Sequence, residues 1–184
     1  VTAINLLNNN LAGTLPESIG DMNALAIINL SNNQINGDIP ASFQGLSNVT
    51  SIDLSSNQFN SLPSLSSLSL LTSIDVSNNY LDFDDLEPNT GQSYSISYIP
   101  QIEYGSEGLR GIFDGQTVTI STSPGGTSNA YQWYKDGTII TDSTNQALQI
   151  LGTEILTEAI FHCEVTSTIV TGITLTSAPI IVRK

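Results

Sequence analysis

Short segments in which apolar and polar residues alternate recur along the first half of the chain. The segments VTAINLLNNNL, LAIINLSNNQI, VTSIDLSSNQF and LTSIDVSNNYL begin at residues 1, 25, 49 and 71, which gives spacings of 24, 24 and 22 residues. In each copy two apolar residues flank one polar residue, the period of two expected of a strand with one buried face. The pattern predicts one short strand per copy, stacked into a mainly β solenoid with a parallel sheet.

One asparagine stands at the same place in every copy, after the predicted strand. Where the chain turns away from the sheet, inward backbone groups need hydrogen-bond partners. An amide side chain offers both a donor and an acceptor, so a stacked column can bond successive turns. The alternative is that asparagine simply favours turns. We predict an inward structural ladder formed by Asn9, Asn33, Asn57 and Asn79.

The copies fit the pattern L-x-x-L-x-L-x-x-N-x-L, and GTLPESIGDM and GDIPASFQGL follow the first two. This combination resembles the plant-type subclass of leucine-rich repeats, and it predicts a solenoid over residues 1–89. The resemblance implies a binding surface on the concave strand face, whose small polar residues could equally be a scaffold without a ligand. The residues predicted on this face are Asn5, Asn29, Asp53, Asp75, Gln34, Gln58 and Tyr80.

From residue 90 the rhythm stops, and residues 90–184 predict an antiparallel β-sandwich. Trp133 and, thirty residues later, Cys163 resemble the strand C tryptophan and strand F cysteine of an immunoglobulin-like domain. The partner cysteine position holds Thr122, so no disulfide can form, and Phe161 replaces the corner tyrosine. The expected core is Trp133, Tyr131, Val118, Ile120, Leu148 and Phe161. The expected strands are Tyr94–Ile99, Thr117–Thr122, Ala130–Lys135, Thr138–Thr141, Ala147–Ile150, Ile160–Thr166 and Ile173–Val182.

The charge distribution narrows the range of partners. The net charge is −13, all four basic residues lie after residue 109, and eleven of the seventeen acids lie before it. Nucleic acids and anionic headgroups require Lys or Arg, so the acidic repeat half excludes both as partners. A protein, a neutral glycan or a divalent cation remains.

The sequence contains no catalytic motif, and we expect a chain that is not an enzyme. His162 and Cys163 are adjacent on a predicted strand and therefore point to opposite faces, the thiol inward and the imidazole outward. We expect no cofactor, with calcium as the alternative if the acids of DFDDLE converge. Otherwise these acids form a solvated cap on the solenoid: Asp82, Asp84, Asp85 and Glu87.

Two further features suggest contacts. Tyr94 and Tyr98 share one face of a predicted strand, and we expect them to join the two domains or, alternatively, to form a docking patch. The segment DST at residues 142–144 resembles the O-glycosylation pattern of Bacteroidota, which implies a glycan on Ser143.

The repeats, the acidic DLEPN exit, the YIPQ element and the disulfide-free second domain together are similar to surface proteins of Bacteroidota. The resemblance implies a secreted or cell-surface adhesion module, associated with the outer membrane without inserting into it, that binds a protein or glycan or joins a surface complex. Because Val1 opens on a repeat and IIVRK ends on a strand, we expect a fragment. The alternatives are a stalk or filament subunit, or an accessory region of a larger secreted enzyme.

Overall fold

A computed structural model describes residues 1–184, which divide into an N-terminal unit, Val1–Ile102, and a C-terminal unit, Glu103–Lys184. The N-terminal unit contains eight strands and one α-helix, α1 (Phe83–Leu86). Short 3-10 helices span Glu17–Asp21, Ala41–Gly45 and Glu87–Asn89. The strands are β1 (Ala3–Asn5), β2 (Ala12–Gly13), β3 (Ile27–Asn29), β4 (Gln34–Asp38), β5 (Ser51–Asp53), β6 (Gln58–Ser61), β7 (Ser73–Asp75) and β8 (Ser95–Ser97).

The main sheet of the N-terminal unit is parallel and has the strand order β1-β3-β5-β7-β8. Its central isoleucines, Ile28, Ile52 and Ile74, are at most 2% exposed, so the predicted alternation of inward and outward positions is confirmed. A second parallel sheet, β2-β4-β6, consists of the segments that follow β1, β3 and β5 in the first three repeats. Leucines and three phenylalanines, Phe43, Phe59 and Phe83, fill the space inside the coils.

The solenoid has one more strand than the four predicted. Strand β8 pairs in parallel with β7, and Ile96 takes the register position of Ile74. The prediction that Tyr94–Ile99 opens the second domain is therefore wrong, and the units divide after Ile102 rather than after residue 89. The fifth copy was hidden because its asparagine position holds Gln101 and the second apolar strand position holds Tyr98.

The C-terminal unit has two sheets. One has the order β12-β11-β14-β16-β9, with β15 also paired to β14, and the other consists of β10 and β13. All pairs are antiparallel except β16 with β9. The strands are β9 (Gly108–Gly111), β10 (Thr117–Ser121), β11 (Asn129–Lys135), β12 (Thr138–Ile139), β13 (Ala147–Leu151), β14 (Glu158–Ser167), β15 (Thr174–Thr176) and β16 (Ile180–Arg183), and a 3-10 helix spans Gly152–Glu154.

Two predictions for this unit need correction. The expected strand Ile173–Val182 is two strands, because Ser177, Ala178 and Pro179 interrupt it and proline lacks the N–H that a ladder requires. Strand β9 had no alternating pattern and was not predicted. The buried residues of the expected core are Ile120, Trp133 and Phe161, whereas Val118, Tyr131 and Leu148 are only half-buried.

None of the helices in the chain has the length and apolar composition that crossing a bilayer requires.

Candidate binding surface

A ladder of amide side chains holds the coils of the N-terminal unit in register. The Nδ2 group of Asn57 donates to Leu54 O in its own coil, at 3.1 Å, and to Leu30 O in the preceding coil, at 3.0 Å. Its Oδ1 accepts the N–H of Ile35, also in the preceding coil, at 3.1 Å. Asn33 and Asn79 repeat this arrangement, so three of the four predicted rungs connect neighbouring coils.

The two ends of the ladder differ from the prediction. Asn9 is exposed, and its side chain donates to Leu7 O within its own coil. Gln101 forms a fifth rung that the sequence did not reveal, since its Nε2 donates to Val76 O at 3.0 Å and its Oε1 accepts from Leu81 N at 3.0 Å. A glutamine can supply the same donor and acceptor as asparagine when the turn leaves room for one more methylene group.

The in-register parallel pairing of the five strands aligns their outward side chains in columns. Asn5, Asn29, Asp53 and Asp75 occupy one register position on four adjacent strands, as predicted, and Ser97 continues the column. Adjacent strands lie about 4.8 Å apart, so the Asp53 and Asp75 carboxylates are direct neighbours. We call the outward side of this sheet the strand face.

Each carboxylate in this column also holds the backbone turn that follows it. Asp53 Oδ1 accepts from both the N–H and the hydroxyl of Ser55, at 3.1 and 2.7 Å, and Asp75 does the same with Ser77. Asn29 makes the equivalent bonds to Ser31 through its amide oxygen. An uncharged amide therefore supports the same turn, and the two negative charges are not needed for the fold.

The predicted glutamines lie elsewhere. Gln34 and Gln58 are exposed, but they begin β4 and β6 and belong to the second sheet. Tyr80 is 40% exposed, and its backbone N–H donates to Phe59 O of β6, so it also lies beside the second sheet rather than on the strand face. The sequence analysis missed Ile27, which is 48% exposed on the strand face; the signal was the pair Ile27-Ile28, of which only one can point inward.

The acidic segment after the fourth repeat forms α1 and the 3-10 helix Glu87–Asn89, and because β8 adds a further coil after it, the segment does not close the solenoid as predicted. Asp82 Oδ1 accepts from Asp84 N at 2.9 Å at the start of α1, while Asp85 accepts from Asp82 N at 3.1 Å and from Leu62 N at 2.9 Å. These carboxylates bond backbone donors, and no three acidic, cysteine or histidine side chains of the chain gather into a group that could hold a metal ion. Asp85 is only 9% exposed, so it does not have the solvated position that the predicted cap gave it, and calcium binding stays a prediction.

The raised pKa of Asp82 makes the stability of the N-terminal unit depend on pH. Burial, together with the nearby Asp85 carboxylate, raises the pKa of Asp82 from 3.8 to about 6. A raised pKa means that the folded state favours the protonated acid over the carboxylate. The contribution of protonated Asp82 to the stability of the unit is therefore complete below pH 3.8 and is lost as the pH rises through about 6. The pKa of Asp85 is also raised, mainly by burial.

We expect Asp82→Asn to remove this dependence and to stabilise the unit at pH 7 by about 1 kcal/mol, after allowance for solvent screening, because asparagine keeps the capping acceptor. Urea midpoints of the two proteins at several pH values between about 4 and 7 would check it. Parallel curves for the two proteins would contradict the assignment.

The single thiol of the chain lies in the core of the C-terminal unit. Cys163 is 0% exposed, and burial raises its pKa to about 11, which leaves the thiol protonated and unreactive near neutral pH.

His162 points outward as predicted but is half-buried, and its ring stacks on Tyr134 with centroids 4.7 Å apart. Trp133 is fully buried, with its Nε1 donating to Asn145 O at 2.8 Å.

The structure also shows the positions of Tyr94 and Ser143, which the sequence analysis singled out for a contact and for a glycan. Tyr94 is buried within the N-terminal unit, and its hydroxyl donates to Asn89 Oδ1 at 2.8 Å. A ring that is only 7% exposed does not fit the alternative of a docking patch. Ser143 is half-buried in a loop, where its carbonyl accepts the N–H of Trp133; glycosylation of its hydroxyl stays a prediction.

Comparison with known proteins gives a family model that matches the repeats. The model "Leucine rich repeat" matches residues 1–59 and 39–81. None of the curated proteins matches the chain significantly.

Solved structures resemble the chain only in part. A TDR receptor is 26% identical with a TM-score of 0.49, over 59% of this chain and 19% of that one. The PEPR1–AtPEP1 structure is 23% identical with a TM-score of 0.44, over 60% and 22%. The internalin-like protein lmo2027 of Listeria monocytogenes is 16% identical with a TM-score of 0.39, over 92% and 67%. The chain thus spans about a fifth of the first two structures. Residues 1–81 match the leucine-rich repeat family, and the match ends before the C-terminal unit begins.

Proposed function

We propose that this chain is a non-enzymatic binding module whose strand face binds a protein partner through a basic segment. Leucine-rich repeat regions typically mediate protein–protein interaction. The ladder supports this role because it holds the outward columns rigid, and a preorganised surface loses little conformational entropy on binding. The surface offers carboxylate, amide and hydroxyl groups and no nucleophile paired with a base.

The observation that carries the proposal is the charge of the face. The N-terminal unit contains no Lys, Arg or His, so no cation within it neutralises Asp53 or Asp75. The planar guanidinium of arginine can form two parallel hydrogen bonds to one carboxylate, and Asp53 and Asp75 offer two such carboxylates on adjacent strands. Ile27 adds exposed apolar surface on the strand face, at which an aliphatic or aromatic side chain of the partner could pack.

For the C-terminal unit we propose an immunoglobulin-like spacer. Its support is the strand arrangement, in which the strand with Trp133 lies beside the strand with Cys163 in one sheet and β10 pairs with β13 in another. The resemblance to bacterial surface proteins supports an extracellular or cell-surface location. There the module would contribute to adhesion or to a surface complex.

The test is a charge-neutralised strand face. In the double variant Asp53→Asn, Asp75→Asn, the amides keep the turn bonds that Asn29 already makes, while two charges disappear. The probe is an arginine-containing peptide that has been selected for binding to the native chain. We expect its affinity for the double variant to be about tenfold lower or more, since each charged hydrogen bond contributes about 1.5–3 kcal/mol. Titration calorimetry at low and at physiological salt would measure the change.

The matched control is the double variant Asp21→Asn, Asp38→Asn, which removes the same charge from exposed positions outside the five-stranded sheet. It should bind like the native chain. Equal weakening by both variants would show a nonspecific charge effect and contradict the assigned site. A glycan array that gives strong, saturable binding independent of Asp53 and Asp75 would favour a glycan ligand over a basic protein segment.

A further inference from the structure

Strand β9 lies at the edge of the larger sheet of the C-terminal unit, paired only with β16. The N–H groups of Gly108 and Ile112 donate to Pro179 O and Arg183 O of the β16 side, at 3.1 and 2.9 Å. Backbone groups alternate in direction along a strand, so those of Leu109 and Gly111 point away from the sheet. The outward carbonyl of Leu109 accepts from Arg110 Nη1, which leaves outward N–H groups on Leu109 and Gly111 and the Gly111 carbonyl.

The side chains around this edge are apolar and exposed. Leu109 is 59% exposed and Phe113 is 69% exposed, and both line a cavity of about 300 Å³ with Ile112. Gly111 has no atom within 4 Å of the position that a Cβ would occupy. A glycine in an edge strand with open space beside it allows another backbone to approach closely.

The edge also collects most of the cations of the chain. Three of the four basic residues, Arg110, Arg183 and Lys184, line the same cavity. Arg183 pairs with Glu158 and Lys184 with Asp114, whereas Arg110 has no carboxylate partner. The residues that line the cavity therefore include three cations and no acid, in a chain of net charge −13. The charge of the edge selects an acidic partner.

We propose that β9 is a docking edge for an extended acidic segment of a partner protein, which adds to the sheet as a further strand. The outward groups of Leu109 and Gly111 would supply main-chain hydrogen bonds, and side-chain sites along the edge would supply selectivity. Apolar side chains of the added strand would pack on Leu109 and Phe113, while alternate carboxylates would face Arg110 and its neighbours. A second copy of this chain is a less suitable occupant, because the same cationic edge would face itself.

The probe is a fluorescein-labelled peptide of four Glu-Val repeats, compared with a peptide of four Lys-Val repeats by fluorescence anisotropy on the full chain. Saturable binding of the Glu-Val peptide is expected, and the Lys-Val peptide should bind at least about tenfold more weakly. Gly111→Pro removes the outward N–H without removing a bond to β16 and should weaken Glu-Val binding about tenfold. Gly111→Ala keeps that N–H and is the matched control.

Circular dichroism would establish whether Gly111→Pro folds. Arg110→Glu provides an independent variant with an intact backbone, and it should weaken the Glu-Val peptide and strengthen the Lys-Val peptide. Three results would overturn the proposal: no saturable binding, equal binding of both peptides, or Glu-Val binding unaffected by both Gly111→Pro and Arg110→Glu. Self-association of the native chain that Gly111→Pro abolishes would also overturn it, because the occupant would then be a second copy.

Discussion

Replacing Asn79 with leucine is expected to destabilise the N-terminal unit by about 4 kcal/mol, because several buried backbone groups lose their partner together. Asn79 is 0% exposed. Its Nδ2 donates to Leu54 O and Val76 O at 3.1 Å each, and its Oδ1 accepts from Phe59 N at 3.0 Å. Leucine has nearly the same shape, so the loss would measure the bonds rather than a cavity. Hydrogen exchange over residues 1–102, followed by mass spectrometry, would report this unit separately.

The matched control is Asn9→Leu on the exposed end of the same column. The side chain of Asn9 donates to Leu7 O, and water can replace that bond. The expected loss is below about 1 kcal/mol. If both substitutions destabilised the unit equally, asparagine would be acting through its turn preference and the ladder would not be what couples the coils.

Gly152→Ala is expected to destabilise the C-terminal unit by about 3 kcal/mol, the upper range for overpacking. A Cβ at this position would lie 2.0 Å from Phe113 O and 2.7 Å from Phe113 C. These are backbone atoms, so the clash cannot be relieved by a rotamer change. Either the loop at Phe113 or the 3-10 helix at Gly152 must move, although the N–H of Gly152 holds the helix to Gln116 O at 2.9 Å.

The fluorescence of Trp133 would measure this loss in urea, since it is the only tryptophan of the chain and lies in the C-terminal unit. Gly108→Ala is the control: its Cβ would meet Ile180 Cγ2 at 3.6 Å, an ordinary contact. The midpoint should fall for Gly152→Ala and stay within about 0.5 kcal/mol of native for Gly108→Ala. An unchanged midpoint in Gly152→Ala would show that the two segments are not packed as described.

The repeat architecture could be predicted because two independent signals agreed. The alternation around Ile28, Ile52 and Ile74 gave the strands, and the asparagine column gave the turns. The fifth coil lacked both signals in their usual form. Gln101 takes the place of an asparagine and bonds Val76 O of the preceding coil through a longer side chain, an exchange that the repeat pattern does not express.

The strand face was harder to predict than the fold. Asp53 and Asp75 were correctly placed outward, but their bonds to the following serines were not foreseen, since these depend on turn geometry. In the C-terminal unit the alternation of β14 was visible, with Phe161 and Cys163 inward. The short edge strand β9 contains two glycines in four residues, so it has no apolar period to detect.

The rungs that join the coils are uncharged amides, whereas the outward columns carry the carboxylates. Salt screens the carboxylates but not the amide hydrogen bonds, so raising the salt concentration should change the affinity of the strand face for a charged partner and leave the amide bonds between the coils unchanged. The same separation makes the surface columns open to substitution, because new side chains can be tried on the face without disturbing the amides beneath it. A chain built in this way can acquire a new binding specificity and keep its architecture.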